Sequence, residues 1–363
     1  MQQDAQETGE ARPVLVVDLD GTLVRTDLLH ESFWSAFARH WWAPAAAALA
    51  LLRAGRPGLK RRLAALGPVE MATLPYNPDL LQRLRDWRAA GGRTALVTAA
   101  DADLAARIAA HLGSFDEVHG STPGQNLKGR AKAAFLRQRF GSEGHVYAGD
   151  SPADLPVWEG AAAALTVTPS ARLRAEVEAR MAPSGRPVEH LPAPSPTAAD
   201  WLAAAGPRRW PPHALALLPA LAAPAALAPA ALAVLALTLA TTAAQLLATL
   251  RRVEADRART APNPFADGSL PLPRGVPLVV ALLLAAVLAA LPLGAAVLAT
   301  VAAQAALGLA RPASRALHSV TRAARWTLCL LAGLLATATP LTWLPAAALV
   351  LLAAAALLPR SAP

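Results

Sequence analysis

The feature that most constrains this chain is a short apolar run that ends in two carboxylates, Val14-Leu-Val-Val-Asp18-Leu-Asp20-Gly-Thr22. Four hydrophobic residues followed by a turn signal are typical of a buried parallel strand. Ligands of open α/β sheets bind at the carboxyl ends of such strands, so we expect Asp18 and Asp20 at a binding edge. One carboxylate there can attack phosphorus, and the second can handle protons. Taken alone, the segment also fits a strand that simply ends in an Asp-Gly turn.

Two later segments repeat the pattern of an apolar strand that ends in polar residues. The run 94–97 predicts a strand that ends at Thr98, whose hydroxyl can bond a phosphate oxygen or simply cap the next helix. The run that begins at His145 predicts a strand that breaks at glycine into Asp150 and Asp154. Carboxylate oxygens at a strand end are ligands that Mg²⁺ accepts alongside a phosphate.

Lysine is rare in this chain, with three residues among 34 basic ones. One of them, Lys128, lies at the predicted start of a helix from Asn126 to about Arg139. A compact ammonium at this place can neutralise a phosphoryl oxygen. An exposed lysine at a helix end explains the residue equally well.

Together these segments resemble the four motifs of the haloacid dehalogenase-like phosphohydrolases, over roughly residues 13–170. The resemblance implies an α/β Rossmann-like domain with helices on both faces of a parallel sheet and a small helical cap. It implies Asp18 as nucleophile and Asp20 as general acid and base. It further implies Mg²⁺ held by Asp18, the Asp20 carbonyl and Asp150 with support from Asp154, and phosphate held by Thr22, Thr98 and Lys128.

The segment after the first motif, about residues 28–75, would form the cap, with a helical pattern up to about Leu66. It contains the pairs Phe33-Trp34 and Trp41-Trp42, an apolar run 45–52 and a basic patch. The apolar part is too short to cross a bilayer. Two interpretations stay open: a buried helix of the cap, or an interfacial helix with tryptophan anchors and a cationic flank.

Composition divides the chain into two parts. From Gly206 onward there are twelve arginines and three acids, which account for the whole net charge of +9, and mean hydropathy for the chain is +0.34. Because the basic excess lies in the apolar half, it favours membrane topology over a nucleic-acid partner. The single cysteine, Cys329, excludes a disulfide framework. Residues 1–12 are polar, which predicts a disordered lead-in without a cleavable signal peptide.

These features predict a phosphohydrolase domain over residues 13–185, a linker rich in Pro and Ala over 186–209, and a transmembrane domain over 210–363. Three uncharged stretches, about 211–250, 275–310 and 326–359, each have the length of two spans and a Pro or Gly near the middle, which predicts about six helices in three hairpins. Arginines before, between and after the hairpins predict that the N-terminal domain is cytoplasmic. The expected location of the protein is the plasma membrane. The alternative is a buried helical bundle.

The loop after the first stretch carries a second resemblance. It is similar to the first acidic loop of UbiA-type intramembrane prenyltransferases, some of which carry a phosphohydrolase-like head. Asp256 stands at the last acidic position with Glu254 beside it, whereas Ala248, Thr249 and Arg252 occupy the earlier positions. The resemblance thus implies a truncated, degenerate domain whose remnant prenyl-diphosphate loop is Glu254 and Asp256.

The expected function is that of a membrane-anchored, Mg²⁺-dependent phosphomonoester hydrolase that acts through an aspartyl-phosphate. Its expected partners are a phosphorylated small molecule or a lipid-linked phosphate, such as a polyprenyl phosphate, together with membrane lipids and without nucleic acid. Two alternatives stay open: a prenyltransferase, and a non-catalytic scaffold that binds a homologous membrane partner.

Overall fold

The computed structural model of the chain describes residues 12–122, 124–221, 224–310 and 314–357, which form two compact units. Unit 1 comprises the chain up to Ser195 together with Glu254–Pro262 and Ala266–Pro271. Unit 2 comprises Pro196–Val253, Asn263–Phe265 and the chain from Leu272 onward. The predicted lead-in, apart from Arg12, lies outside the described residues, and the predicted domain boundaries stay predictions.

One parallel sheet organises unit 1. Its strands are β1 (Val14–Val17), β2 (Thr94–Asp101), β3 (Glu117–Ser121), β4 (His145–Gly149), β5 (Ala163–Thr166) and β6 (Val188–His190). Their order across the sheet is β3-β2-β1-β4-β5-β6. The chain moves outward from β1 to β3 and then returns to the other side of β1 to form β4. This reversal leaves a crevice at the carboxyl ends of β1 and β4, where open parallel sheets bind ligands.

The strand β1 consists of four apolar residues, and all four are buried. Leu15 and Val17 pack into one hydrophobic cluster, whereas Val14 and Val16 pack into another. Successive side chains of a strand point to opposite faces, so β1 is covered on both faces. The predicted parallel α/β domain is confirmed.

Helices connect the strands of unit 1. They are α1 (Leu28–Arg39), α2 (Ala43–Leu66) and α3 (Pro78–Ala89) between β1 and β2, α4 (Ala102–Leu112) before β3, α5 (Arg130–Phe140) before β4, and α6 (Leu155–Trp158) and α7 (Ala171–Met181) on either side of β5. The predicted helix from Asn126 begins at Arg130, because Gly129 has φ 56° and ψ −126°, which no helical residue adopts. Lys128 therefore precedes the helix instead of lying within it.

The helices α1 and α2 form the predicted cap segment. Asp27 caps α1 by accepting a hydrogen bond from the backbone N–H of His30 at 3.1 Å. Ala43 and Ala47 of α2 are buried in one hydrophobic cluster with Ala36 of α1. Within α2, Gly55 has φ 61° and kinks the helix into two parts.

The remaining helices lie mainly in unit 2. They are α8 (Ala198–Ala205), α9 (Leu227–Leu250), α10 (Val253–Ala258), α11 (Gly275–Ala290), α12 (Ala295–Leu309), α13 (Arg315–Ala336) and α14 (Leu344–Leu357). Alanines of α9, including Ala233, Ala236 and Ala240, are fully buried in the core of this unit. Small side chains at these contacts allow neighbouring helix backbones to approach closely.

Two described helical stretches are long and apolar enough to cross a membrane. They are Pro224–Leu250 and Leu272–Leu293, with mean hydropathies of 1.9 and 2.7, whereas Ala295–Leu309 is apolar but shorter. About six spans were predicted, and the described residues provide two candidates. One reason is that Pro211–Leu221 forms a 3₁₀ helix, since its prolines lack the backbone N–H that an α-helix requires.

Candidate active site

The strand ends bring the predicted carboxylates together in unit 1. Oxygen atoms of Asp18, Asp150 and Asp154 all lie within 4.8 Å of one another. Asp18 follows β1 and Asp150 follows β4, so the pair flanks the crevice at the reversal of the sheet. A cavity of about 260 Å³ opens here, lined by Asp18, Asp20, Gly21, Asp27, Thr98, Ala99, Lys128, Lys132, Asp150, Ser151, Ala153 and Asp154.

Asp18 is held in place by two donors. Its Oδ1 accepts a hydrogen bond from the Leu19 N–H at 2.8 Å and lies 3.0 Å from the Lys132 Nζ. Burial raises the pKa of Asp18, and the nearby Asp154 acts in the same direction, whereas Lys132 opposes the rise. The buried ammonium of Lys132 therefore favours the charged form of the adjacent carboxylate, against the effect of burial.

The second carboxylate of the first motif lies at the start of the cap. Asp20 Oδ1 accepts a hydrogen bond from the backbone N–H of Leu28, the first residue of α1, at 2.8 Å. Burial raises the pKa of Asp20 to about 7, and the neighbouring charges of Asp27 and Asp18 contribute. A group with this pKa can both give and accept a proton near neutral pH.

Asp150 has a crowded, negatively charged environment. Burial raises its pKa to about 8, and Asp18, Asp154 and Asp20 add to the rise. Gly21 has φ 76°, and a Cβ at this position would collide with the carboxylate of Asp150. Glycine is thus required here both by the backbone conformation and by the close approach of Asp150.

The donor set fits a hard divalent cation. Three carboxylates share one small volume, and their mutual repulsion is what raises the pKa of Asp150 after burial. Mg²⁺ prefers oxygen ligands of this kind, and its charge would remove that repulsion. Asp18, Asp150 and Asp154 are accordingly the side chains that could hold it.

The predicted phosphate ligands occupy different places. Thr98 and Lys128 line the cavity, and the hydroxyl of Thr98 accepts a hydrogen bond from the Ala100 N–H at 3.0 Å. Thr22 is fully buried, with its hydroxyl 3.4 Å from Asp150 Oδ1. Thr22 thus contacts a carboxylate of the cluster, and its direct contact with phosphate stays a prediction, as do the roles of the other site residues.

Sequence reasoning missed Lys132. The residue is 2% exposed and forms ion pairs with Asp18 and with Asp154, the latter at 3.5 Å. Its Nζ also donates to the hydroxyl of Tyr147 at 2.7 Å, and that hydroxyl donates to Asp154 Oδ1 at 2.8 Å. Burial lowers the pKa of Lys132, but Asp18 and Asp154 outweigh it, so the pKa is raised overall.

A signal for this lysine was present in the composition. All three lysines of the chain reach the site: Lys128 and Lys132 line the cavity, and Lys60 donates to the Ala99 carbonyl at 3.0 Å. Lysine carries its charge on a compact ammonium, whereas arginine carries it on a planar fork. The rarity of lysine in this arginine-rich chain was therefore a signal that pointed to Lys132 as well as to Lys128.

The carboxylates of the predicted remnant prenyl-diphosphate loop belong to unit 1 and lie on α10. Glu254 accepts hydrogen bonds from Arg39 at 2.8 Å and from the Ser35 hydroxyl at 2.9 Å, both on α1. The backbone carbonyl of Asp256 accepts from the Ala261 N–H at 2.8 Å. Glu254 thus has partners on the cap helix, and a role of this loop in binding prenyl diphosphate stays a prediction.

Residues 15–159 match the family model of the haloacid dehalogenase-like hydrolases. The chain therefore carries a haloacid dehalogenase-like hydrolase domain, as the motifs predicted, with an acidic cluster at its site. The likeness of the C-terminal half to UbiA-type prenyltransferases has no such support and stays a prediction.

One curated relative is uncharacterized protein y4nM of Sinorhizobium fredii (strain NBRC 101917 / NGR234), which is 40% identical over 212 residues. The matched region covers 56% of this chain and 39% of that protein. The chain thus spans about two fifths of the length of the relative it matches.

Solved structures also resemble part of the chain. A protein of unknown function from Bordetella pertussis Tohama I is 22% identical, covers 49% of this chain and 98% of its own, and has a TM-score of 0.37. A substrate-bound phosphoserine phosphatase is 15% identical, covers 43% and 86%, and has a TM-score of 0.32. A phospho-aspartyl intermediate analogue of phosphoserine phosphatase is 14% identical, covers 51% and 96%, and has a TM-score of 0.34.

Proposed function

We propose that the hydrolase domain is a Mg²⁺-dependent phosphomonoester hydrolase that acts through an aspartyl-phosphate on Asp18. The observation that carries the proposal is the cluster of Asp18, Asp150 and Asp154, whose oxygens lie within 4.8 Å of one another beside the buried Lys132. A nucleophilic carboxylate, oxygen ligands for a cation and a fixed ammonium are the groups that phosphoryl transfer requires.

In the first step a carboxylate oxygen of Asp18 attacks phosphorus, and the bond from phosphorus to the leaving oxygen breaks. Leu19 and Lys132 both bind Oδ1 of Asp18, so Oδ2 is the oxygen that attacks. Asp20 donates its proton to the leaving oxygen, which departs as an alcohol. The hydrogen bond from the N–H of Leu28 fixes the position of Asp20 for this transfer.

In the second step Asp20, now ionised, removes a proton from water while the water attacks phosphorus. The bond between phosphorus and Asp18 breaks, inorganic phosphate leaves, and Asp20 carries its proton again. Thr98 and Lys128, which line the cavity, bind the phosphoryl oxygens during both steps. When bound by Asp18, Asp150 and Asp154, Mg²⁺ supplies positive charge that offsets the charge on the transferred group.

The substrate class that we favour is a phosphomonoester on a lipid, such as a polyprenyl phosphate. Two helices of the same chain are long and apolar enough to cross a membrane, and they would hold the hydrolase domain near the cytoplasmic surface of the plasma membrane. A substrate that is confined to the bilayer would then meet the site at a high local concentration.

The first test is phosphate release from a generic aryl phosphate by the full chain in detergent, with and without Mg²⁺. We expect metal-dependent turnover that Asp18→Asn abolishes, because the amide cannot act as the nucleophile. Asp103→Asn, at an exposed position on α4, is the matched control and should keep full activity. Equal activity of the Asp18→Asn and wild-type proteins would overturn the proposal.

The second test addresses the substrate class alone. The reconstituted chain is given a polyprenyl phosphate in the bilayer or a soluble sugar phosphate in the buffer, and kcat/KM is compared. We expect the lipid substrate to be favoured by at least about tenfold. Equal or better hydrolysis of the soluble ester would remove the lipid half of the proposal and leave the phosphatase half standing.

A further inference from the structure

The first part of α2 and the residues just before it expose large apolar side chains. Trp41 is 80% exposed and Leu52 is 84% exposed, and Leu49 and Leu51 are also open to solvent. Single exposed hydrophobic residues are ordinary, but a contiguous set on one short segment marks a surface that meets a partner.

The helix has two different faces, which explains this exposure. Ala43 and Ala47 pack against α1 in a small hydrophobic cluster. Ala45, Leu49 and Leu52, spaced by four and three residues, form a stripe that is exposed throughout. One apolar face of the helix therefore packs in the cap, and a second apolar face is exposed to solvent.

The charged residues in the sequence around this surface have a single sign, and of these Arg39 pairs with an acidic residue from elsewhere, Glu254. No acidic residue occurs between Glu31 and Glu70, whereas six basic residues do: Arg39, Arg53, Arg56, Lys60, Arg61 and Arg62. Arg53, Arg56 and Arg61 are exposed, and the guanidinium of Arg62 lies 5.9 Å from the ring centre of Trp42. A partner that matches this surface has an apolar layer for the leucines and tryptophans and an anionic layer beside it for the arginines.

We propose that this surface, Trp41 to Arg62, docks onto an anionic lipid bilayer. The leucines would enter the boundary of the acyl chains, the tryptophans would lie at the headgroup level, and the arginines would bind lipid phosphates. The surface is one exposed face of a single helix segment and the residues just before it. Two further helices of the same chain are apolar enough to cross a bilayer, so such a surface is available to it.

The docking surface also continues into the active site. After the kink at Gly55, the second part of α2 carries Lys60, whose Nζ donates to the carbonyl of Ala99 beside Thr98. A bilayer that binds the first part of α2 would thereby present the cavity to phosphate groups at the headgroup level. This consequence rests on the proposed function, whereas the docking itself does not.

The test uses the full chain reconstituted in vesicles and an environment-sensitive fluorophore on Leu52→Cys, in a Cys329→Ala background. In vesicles that contain about one third phosphatidylglycerol, we expect a blue shift of the emission and quenching by spin-labelled lipids. The same fluorophore on Glu178→Cys, at an exposed position of α7, should emit as in water under all conditions. A thermal unfolding transition like that of the unlabelled chain reports that each labelled protein is folded.

A charge variant isolates the lipid contribution. Arg53→Gln, Arg56→Gln and Arg61→Gln together should reduce the quenching at position 52 at least about fivefold in anionic vesicles, and high salt should do the same to the parent protein. The inactive Asp18→Asn variant should show the full blue shift, so the result does not depend on the proposed function.

Two outcomes would overturn the docking proposal. One is an emission at position 52 that is identical in neutral vesicles, anionic vesicles and detergent. The other is a blue shift that spin-labelled lipids do not quench and that grows with the density of protein in the vesicle, which would assign the surface to a second copy of the chain.

Discussion

At the scale of single residues, the two lysines that line the cavity have different surroundings and therefore different expected roles. An ammonium has three N–H donors, and Lys132 lies within reach of the Tyr147 hydroxyl, Asp18 and Asp154. Its donors are therefore engaged before any substrate arrives. Lys128 lies at the exposed edge of the same cavity, where an incoming phosphoryl group passes. We infer that Lys132 positions the nucleophile and that Lys128 contacts the substrate.

This division predicts different kinetic effects for two matched substitutions. Lys132→Met should lower kcat by about 100-fold with KM nearly unchanged, because it releases Asp18 from its fixed position. Lys128→Met should raise KM by about tenfold with kcat within a few-fold, since it removes a charge that binds the phosphoryl group. Steady-state kinetics with an aryl phosphate separate the two effects.

The control for both lysines is Arg137→Met, which removes an exposed charge from the same helix as Lys132. Thermal unfolding of each variant tests whether the fold is retained, since Lys132 is buried among carboxylates. If Lys128→Met instead lowered kcat as strongly as Lys132→Met, the two residues would act as one unit and the division would be wrong.

His145 in β4 links the stability of unit 1 to pH. It is 2% exposed, and neither ring nitrogen has a hydrogen-bond partner among the described residues. Burial lowers its pKa to about 4 from an ordinary value of 6.5. The folded state therefore favours the neutral ring, and the stability that this provides is complete above pH 6.5 and declines as the pH falls towards 4.

We expect wild-type unit 1 to lose about 2 kcal/mol more unfolding free energy between pH 7 and pH 4.5 than the His145→Leu variant. The reason is that leucine fills the site without having to lose a charge on folding. Pulse proteolysis of the detergent-solubilised chain in urea, with EDTA present, measures the difference. His111→Leu, at an exposed position, should follow the wild-type curve, and parallel curves for wild type and His145→Leu would contradict the assignment.

At the scale of elements, the strands were predictable because their residues satisfy one strong condition. β1 is buried on both faces, so its whole sequence must be apolar, and the polar residues begin where the strand ends. β4 follows the same rule and delivers Asp150. The carboxylates of the site were therefore found from the sequence, since their positions depend only on where a strand stops.

The helix that carries Lys132 was placed too early for a local reason. Nothing in the spacing of apolar residues reveals that Gly129 adopts φ 56°, which sets the helix start at Arg130. Lys132 then lies in the first turn, and its side chain reaches Asp18. A displacement of four residues in one helix boundary was enough to hide a second lysine of the site.

The cap could not be settled from its pattern, because both interpretations describe part of it. Ala43 and Ala47 are buried, as in an ordinary cap helix, whereas Leu49 and Leu52 are exposed, as in an interfacial one. Alanine and leucine are both apolar, so an apolar pattern alone does not separate the two faces. Only the position of α1 determines which face is covered.

At the scale of the whole molecule, the chain combines two units that differ in charge and in apolar content. In unit 1 the charges are balanced and the carboxylates gather at one sheet edge, whereas unit 2 contains the two stretches that can cross a membrane. Lys132 pairs with Asp18 and Asp154, and a bound cation would further offset the like-charge repulsion in the carboxylate cluster. The stability of one unit should therefore depend on metal, and that of the other should not.

Magnesium is thus expected to stabilise unit 1 selectively. A ligand that binds only the folded state adds about 2.7 kcal/mol of unfolding free energy at a concentration 100 times its dissociation constant. Pulse proteolysis of the solubilised chain in urea, with Mg²⁺ or EDTA, should move the midpoint of fragments from unit 1 and leave those from unit 2 in place. Asp150→Asn should reduce the shift strongly, because it removes one of the three clustered carboxylates, whereas Asp103→Asn should preserve it. A shift of equal size in both units, or one that survives Asp150→Asn unchanged, would place the metal somewhere other than at this cluster.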